Sequence, residues 1–346
     1  MTTKNSVLLL FTGGTISMSE DAATGALRPI NFERLQELLP ELKQTGVNIK
    51  SIPFRPLIDS SDVGTEMWEK IARLIEKNYN DFDGFVVLHG TDTMAYTASA
   101  LSFMFENLTK PIILTGSQLP IGMMRTDAKE NLLTAIELAC AKNEFGAAMV
   151  PEVCVFFEDE LYRGNRTTKK NAEHFSAFRS YNYPLLAKAG VHLKYFTSNI
   201  RYPEKAAKLR VRTKTDNNIA ILKMFPEIGE SAVRAVLNAP DLKAVIIESF
   251  GSGNVPQKLW FGKALKEAAR KGILIVNKTQ CNAGSVEMGR YATSLNLVDI
   301  GVISAFDCTT EAIVTKLMYL LGEHPSTSEV KKLLKTDIAG EMTVIE

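Results

Sequence analysis

The chain has 346 residues, 45% hydrophobic and 23% charged, a balance that excludes a disordered, collagenous or coiled-coil protein. Forty Lys plus Arg against 39 Asp plus Glu leave a formal charge of +1, so no basic excess draws nucleic acid or an anionic membrane. The length suits two domains or one large one, and no apolar run nears the roughly 20 residues of a spanning helix.

In chain order, the first apolar run covers residues 7–11. It follows Lys4, but five apolar residues fall short of the about 7–15 of a signal-peptide core, and Thr12-Gly13-Gly14-Thr15 ends the run. It reads as a first strand, with a cytoplasmic protein as the expectation. Residues 85–88, 112–114 and 153–157 read as further strands. They lack polar alternation, as strands covered on both faces do. Helical spacing at 66–80, 93–107 and 127–141 lies between them, which predicts an α/β fold with a mostly parallel, doubly wound sheet.

Composition turns polar and basic over 196–217. The expected organisation is a larger N-terminal domain over 1–195, a linker over 196–217 and a smaller C-terminal α/β domain over 218–346. The second part offers strands at 219–222, 244–247 and 273–276 and helices at 231–238, 258–270 and 310–321. Ser326-Thr327-Ser328-Glu329 has the form of a capping box opening a short last helix. The four cysteines lie far apart without a C-x-x-C, and the four histidines show no ligand spacing with them. Reduced thiols and no metal site are expected.

Ligands in such folds bind beyond the carboxyl ends of the strands, so chemistry is sought there. The first strand runs into Thr12-Gly13-Gly14-Thr15, which presents a hydroxyl beside a turn but lacks a phosphate-binding fingerprint. The next runs into His89-Gly90-Thr91-Asp92-Thr93-Met94 at a helix start, where free N–H groups favour negative charge. Capping explains Thr91 or Asp92 singly, and His89 reads as structural. Thr115-Gly116-Ser117-Gln118 reads as scaffold. The charged stretch after the fourth strand, 161–170, reads as a solvated loop by default, although Lys169 beside a threonine hydroxyl offers an activating group. Asp59-Ser60-Ser61-Asp62 suits either a carboxylate site or a helix cap.

Taken together, these motifs resemble the bacterial-type L-asparaginases, amidohydrolases that convert L-asparagine to L-aspartate and ammonia. Leu10-Phe11-Thr12-Gly13-Gly14-Thr15-Ile16 and Leu88-His89-Gly90-Thr91-Asp92-Thr93-Met94 carry the resemblance. Phe250-Gly251-Ser252-Gly253-Asn254 and Thr279-Gln280-Cys281 extend it over the C-terminal half. Thr115-Gly116-Ser117-Gln118 also fits, and the Asp59–Asp62 and 163–169 stretches look like the cytoplasmic type I branch. The resemblance implies Thr12 as nucleophile and Thr91, Asp92 and Lys169 as a second catalytic cluster. It implies Ser60, Ser61, Gly90, Thr91, Asp92 and Asn254 as substrate-binding residues, Asn254 reaching a neighbouring subunit's site. It implies a self-associating protein, dimer or homotetramer, that takes L-asparagine and needs no metal or organic cofactor.

Two departures from the family pattern stand out. Many members carry a tyrosine in the loop after the first motif, whereas 17–29 contains none here; Tyr291 resembles the substitute some members supply. Some type I members also bind asparagine at an effector site, and Thr168 and Cys281 match two of its positions. Where those members carry an arginine, this chain has Glu248, which repels a carboxylate that arginine would clamp; weak or absent cooperativity is expected. A glutaminase-asparaginase of the same fold, an amidotransferase subunit and a non-catalytic ligand-binding homologue are the competing readings.

Overall fold

The computed structural model describes residues 5–20, 27–203, 208–289 and 297–344. The chain divides into two compact units, Met1–Thr213 and Lys214–Glu346.

In the first unit, an eight-stranded sheet runs in the order Lys194–Tyr195, Ala187–Lys188, Glu160–Arg163, Val153–Phe157, Ile112–Thr115, Gly84–Leu88, Ser6–Phe11, Asn48–Pro53. The last five of these are mutually parallel. The other three join antiparallel. Both faces of the central strands are covered, so Val7, Leu8, Leu9 and Leu10 are all fully buried and no alternation shows in the sequence. Val7, Leu9 and Phe11 join Val86, Leu88 and Ile113 in one core with Leu132, Ala135 and Ile136 of the helix Ala128–Cys140.

From Ser6–Phe11 the chain first adds Asn48–Pro53 on one side, then crosses to add Gly84–Leu88 on the other. The carboxyl ends of Ser6–Phe11 and Gly84–Leu88 therefore flank a switch point, where a crevice forms. The pairing of Phe11 with Leu88, and of Leu88 with Thr115, sets Thr12, His89 and Gly116 level beyond the sheet.

Several expectations change at their edges. The helix expected over 93–107 spans Met94–Met104, because Phe105–Glu106 becomes extended and pairs with Arg210–Val211. Asn48–Pro53 gives no apolar run, being an edge strand whose Asn48, Lys50 and Pro53 face solvent. The stretch 161–170 is not a solvated loop. Residues 161–167 are buried, because Glu160–Arg163 pairs with Val153–Phe157 and the Arg163 guanidinium meets Glu152 at 2.6 Å.

The second unit holds a parallel four-stranded sheet in the order Ile219–Lys223, Ala244–Ser249, Leu274–Thr279, Ile303–Ser304. Its helices include Glu230–Leu237, Leu259–Arg270, Thr310–Glu323 and Thr327–Leu334. Ser326 caps the last of these, its hydroxyl accepting from the Glu329 N–H at 3.4 Å.

Candidate active site

Three segments meet beyond the strand ends with almost no space between their backbones. Gly14 has φ 82°, and a Cβ there would lie 2.5 Å from the Gly90 backbone. A Cβ on Gly90 would lie 2.5 Å from the Ser60 hydroxyl oxygen. At Gly14 only glycine tolerates both the left-handed conformation and the close approach, and at Gly90 the close approach alone demands it. The two glycines thus bring the loops carrying Thr12, Thr91 and Ser60 together.

Thr12 is buried, and its hydroxyl donates to the Leu88 carbonyl at 2.8 Å. Its own N–H reaches the same carbonyl at 3.1 Å, and its carbonyl accepts from Ile58 at 3.0 Å. The side chain is thereby held at the switch point with its oxygen lone pairs uncommitted by that bond.

Across the switch point, Lys169 sits in the short strand Thr168–Lys169, which pairs with Phe178–Arg179. Its side chain is 15% exposed, and Nζ lies 2.8 Å from Thr91 Oγ1 and 2.6 Å from Asp92 Oδ1. Neither Thr91 nor Asp92 caps the following helix. Its N-cap is Thr93, and no side chain caps it. Both side chains instead meet Lys169, and Asp92 extends 65% of its side chain into solvent. An ammonium, a hydroxyl and a carboxylate in contact make a unit able to bind, donate or relay a proton.

The Ser60 turn lies under the same glycines. Asp59 accepts from the Ser61 N–H at 2.9 Å and from its hydroxyl at 2.8 Å, which hold the Asp59 carboxyl below its usual range. Ser60 is buried, and its carbonyl accepts from the Thr93 hydroxyl at 2.6 Å. Thr93 therefore ties this turn to the loop of Gly90 and Thr91.

His89 takes no part in that cluster. Its Nδ1 lies 2.7 Å from the Gly90 carbonyl and its Nε2 2.9 Å from the Thr97 hydroxyl. A carbonyl only accepts, so Nδ1 carries the proton and Thr97 donates to Nε2. Trp68 Nε1 donates in turn to Thr97 at 3.1 Å. Burial pushes the imidazole down to about 4, so the ring is neutral near pH 7.

Gln118, read as scaffold from the sequence, touches the cluster directly. Its Oε1 accepts from Thr91 at 3.3 Å, and its Nε2 donates to the carbonyls of Ala172 and His174. No local sequence signal marks this, because Thr91 and Gln118 follow different strands.

The remaining candidate residues are divided between the two units. Thr168 adjoins Lys169 in the first unit and is half-buried. Cys281 belongs to the second unit and is exposed, its N–H donating to Thr279. Asn254, also in the second unit, closes a tight turn through backbone bonds with Phe250, and Asn277 holds the adjoining Gly253 carbonyl at 3.0 Å. The Glu248 carboxylate accepts from Thr310 at 2.9 Å and lies 3.8 Å from Lys223 Nζ. Tyr291 lies outside the described residues. Among the described residues no group of three or more His, Cys, Asp or Glu is arranged to hold a metal ion, and no helix is long and apolar enough to cross a membrane.

Known proteins are similar to this chain over nearly its whole length. The family profile described as "Asparaginase, N-terminal" matches residues 6–201, and "Glutaminase/Asparaginase C-terminal domain" matches 218–334. L-asparaginase 1 of Escherichia coli K12 is 43% identical over 341 residues, 98% of each chain. A 60 kDa lysophospholipase of Mus musculus is 39% identical over 98% of this chain but only 62% of its own length. The crystal structure of L-asparaginase I from Vibrio cholerae superposes with a TM-score of 0.88 at 41% identity, covering 98% of this chain and 99% of that one. Matched in both halves and along its full length, the chain belongs to the asparaginase family.

Proposed function

We propose that this protein hydrolyses L-asparagine to L-aspartate and ammonia, with Thr12 as nucleophile and without a metal or organic cofactor. The observation that carries the reading is the Lys169 ammonium held against Thr91 and Asp92, across the switch point from the buried Thr12 hydroxyl. An amide is cleaved only if a nucleophile reaches its carbon and its nitrogen leaves protonated. Thr12 Oγ1 forms the new bond to the side-chain carbon and gives up its proton. Tyr291 is assigned as the partner of that hydroxyl, passing its own phenolic proton on as it takes the one Thr12 gives up. The C–N bond breaks as the nitrogen gains a proton supplied through Thr91 from Lys169. Water then completes the hydrolysis and frees aspartate.

Substrate orientation falls to the surrounding polar groups. Asp92, largely exposed, pairs with the α-ammonium. Ser60 and Ser61 hold the α-carboxylate and α-amino ends, with Gly90 leaving room and backbone N–H groups near Thr91 as donors to the oxyanion; one such donor is worth about 3 kcal/mol. Asn254 completes a neighbouring subunit's site in a dimer or homotetramer. A cytoplasmic location goes with this reading, supported by the resemblance of the Asp59–Asp62 and 163–169 stretches to the type I branch. Selectivity between asparagine and glutamine turns on one methylene, which changes the fit by roughly 1–3 kcal/mol.

The test is ammonia release from L-asparagine and L-glutamine by wild-type protein and Thr12→Ala across substrate concentration. Asparagine-selective release that vanishes in the variant is expected. The rate curve should be hyperbolic, because Glu248 stands where a carboxylate-clamping arginine would be needed at the Thr168 and Cys281 positions. Equal release from both amides supports the glutaminase-asparaginase reading, and release from neither overturns the assignment.

A further inference from the structure

We infer that Gln118 is a positioning residue that fixes the direction of the Thr91 proton. This rests on the reading of Thr91 and Lys169 as reacting groups. The inference follows from what each end of the Gln118 amide faces. Its Nε2 end meets two carbonyl oxygens, Ala172 at 3.2 Å and His174 at 3.1 Å. Carbonyls only accept, so that end must be the NH2 group and the amide cannot flip. The other end is then an oxygen that only accepts, and its 3.3 Å contact with Thr91 is donated by the threonine.

Thr91 has a single hydroxyl proton. Committing it to Gln118 leaves the oxygen to accept from Lys169 Nζ at 2.8 Å. The bonds therefore run one way, from Lys169 to Thr91 to Gln118. In that arrangement Lys169 donates. It withdraws no proton from Thr91 unless the hydroxyl first swings away from Gln118. Delivering a proton to the departing amide nitrogen needs one turn of the Thr91 hydroxyl away from Gln118, with Lys169 refilling the oxygen, whereas sharpening Thr91 as a second nucleophile would also require the Lys169 ammonium to lose its own proton first.

Gln118 is itself anchored. The Asp127 carboxylate accepts from the Gln118 N–H at 3.0 and 3.1 Å and from the Leu119 N–H at 3.1 Å. The side-chain amide also fastens residues 172–174, just beyond Lys169, to the Thr91 loop. A single glutamine thus sets both the Thr91 hydroxyl and the segment following its proton donor.

The two ends can be separated experimentally. Gln118→Met removes the acceptor and the donors at similar length, while Gln118→Glu keeps an acceptor for Thr91 but removes the donors to the carbonyls. Steady-state kcat and KM with L-asparagine, thermal midpoints and amide hydrogen exchange are measured for wild type and both variants. Gln118→Met is expected to lower kcat at least about tenfold with KM changed less than about threefold, since misorientation of a reacting group is costly in the transition state. Gln118→Glu should regain several-fold of that kcat, while exchange near 172–174 is faster in both variants. Equal loss in the two variants, unchanged kcat, or a rise in KM alone would overturn the inference. A wild-type protein releasing no ammonia from asparagine would instead sink the functional reading, and unchanged exchange at 172–174 would still sink the clamp.

Discussion

At the scale of single residues, His89 links folding to pH. Its neutral ring is the native form, donating to Gly90 and accepting from Thr97. The unfolded chain takes up a proton as pH falls through about 6.5, while the folded ring waits until about 4. A base whose folded pKa is depressed contributes stability that is complete above the unfolded value and drains away on acidification. About 3 kcal/mol is at stake over that window. Urea unfolding of wild type and His89→Gln should therefore show a stability gap near pH 7 that closes as pH approaches about 4.5; parallel curves would contradict the assignment. Polar groups gathered beyond the sheet were legible where motif and strand end coincide, as at Thr12 and Thr91. The contacts of Gln118 were not legible, because its side-chain partners follow two other strands and no spacing relates them. Arg163 misled for a related reason: its burial depends on Glu152, the residue preceding the partner strand.

At the scale of elements, the second unit hangs its C-terminal segment on one buried ion pair. Lys316, in the helix Thr310–Glu323, and Glu341 are both fully buried, with Nζ 2.5 Å from Oε1. Lys316 also donates to the Thr336 carbonyl at 2.7 Å, and the Ala339 N–H donates to Glu341 at 2.8 Å. Burial alone would push the Glu341 carboxyl up, but the Lys316 ammonium and these N–H donors hold it below its usual value. Removing one partner strands a charge in the interior. Lys316→Met or Glu341→Gln is expected to cost about 3–5 kcal/mol in denaturant unfolding, whereas Lys316→Met with Glu341→Leu should recover much of it. Additive losses in the double variant would show that the pair is not what holds the segment. Helices and buried strands were largely legible as elements, since burial on both faces writes itself as an apolar run. The edge strand Asn48–Pro53 was hidden, because an edge needs no such run.

At the scale of the whole molecule, self-association is the expectation that one chain leaves to be measured. Phe145 and Val191 of the first unit and Leu259 of the second each expose at least 85% of their surface in the single chain. Light scattering should give two or four times the 38.2 kDa of one chain, and a monomeric particle retaining full activity would refute a site completed by a neighbour. The sequence by itself determined the fold class and the strand-end motifs. Apolar periodicity and glycine turns are local properties, and a few neighbouring residues express them fully. Tertiary structure alone decided which strand ends lie side by side, how closely Gly14 and Gly90 let their loops approach, and which polar groups meet there. Those contacts join residues tens of positions apart, and strand order and register, which no local pattern encodes, bring them within bonding distance.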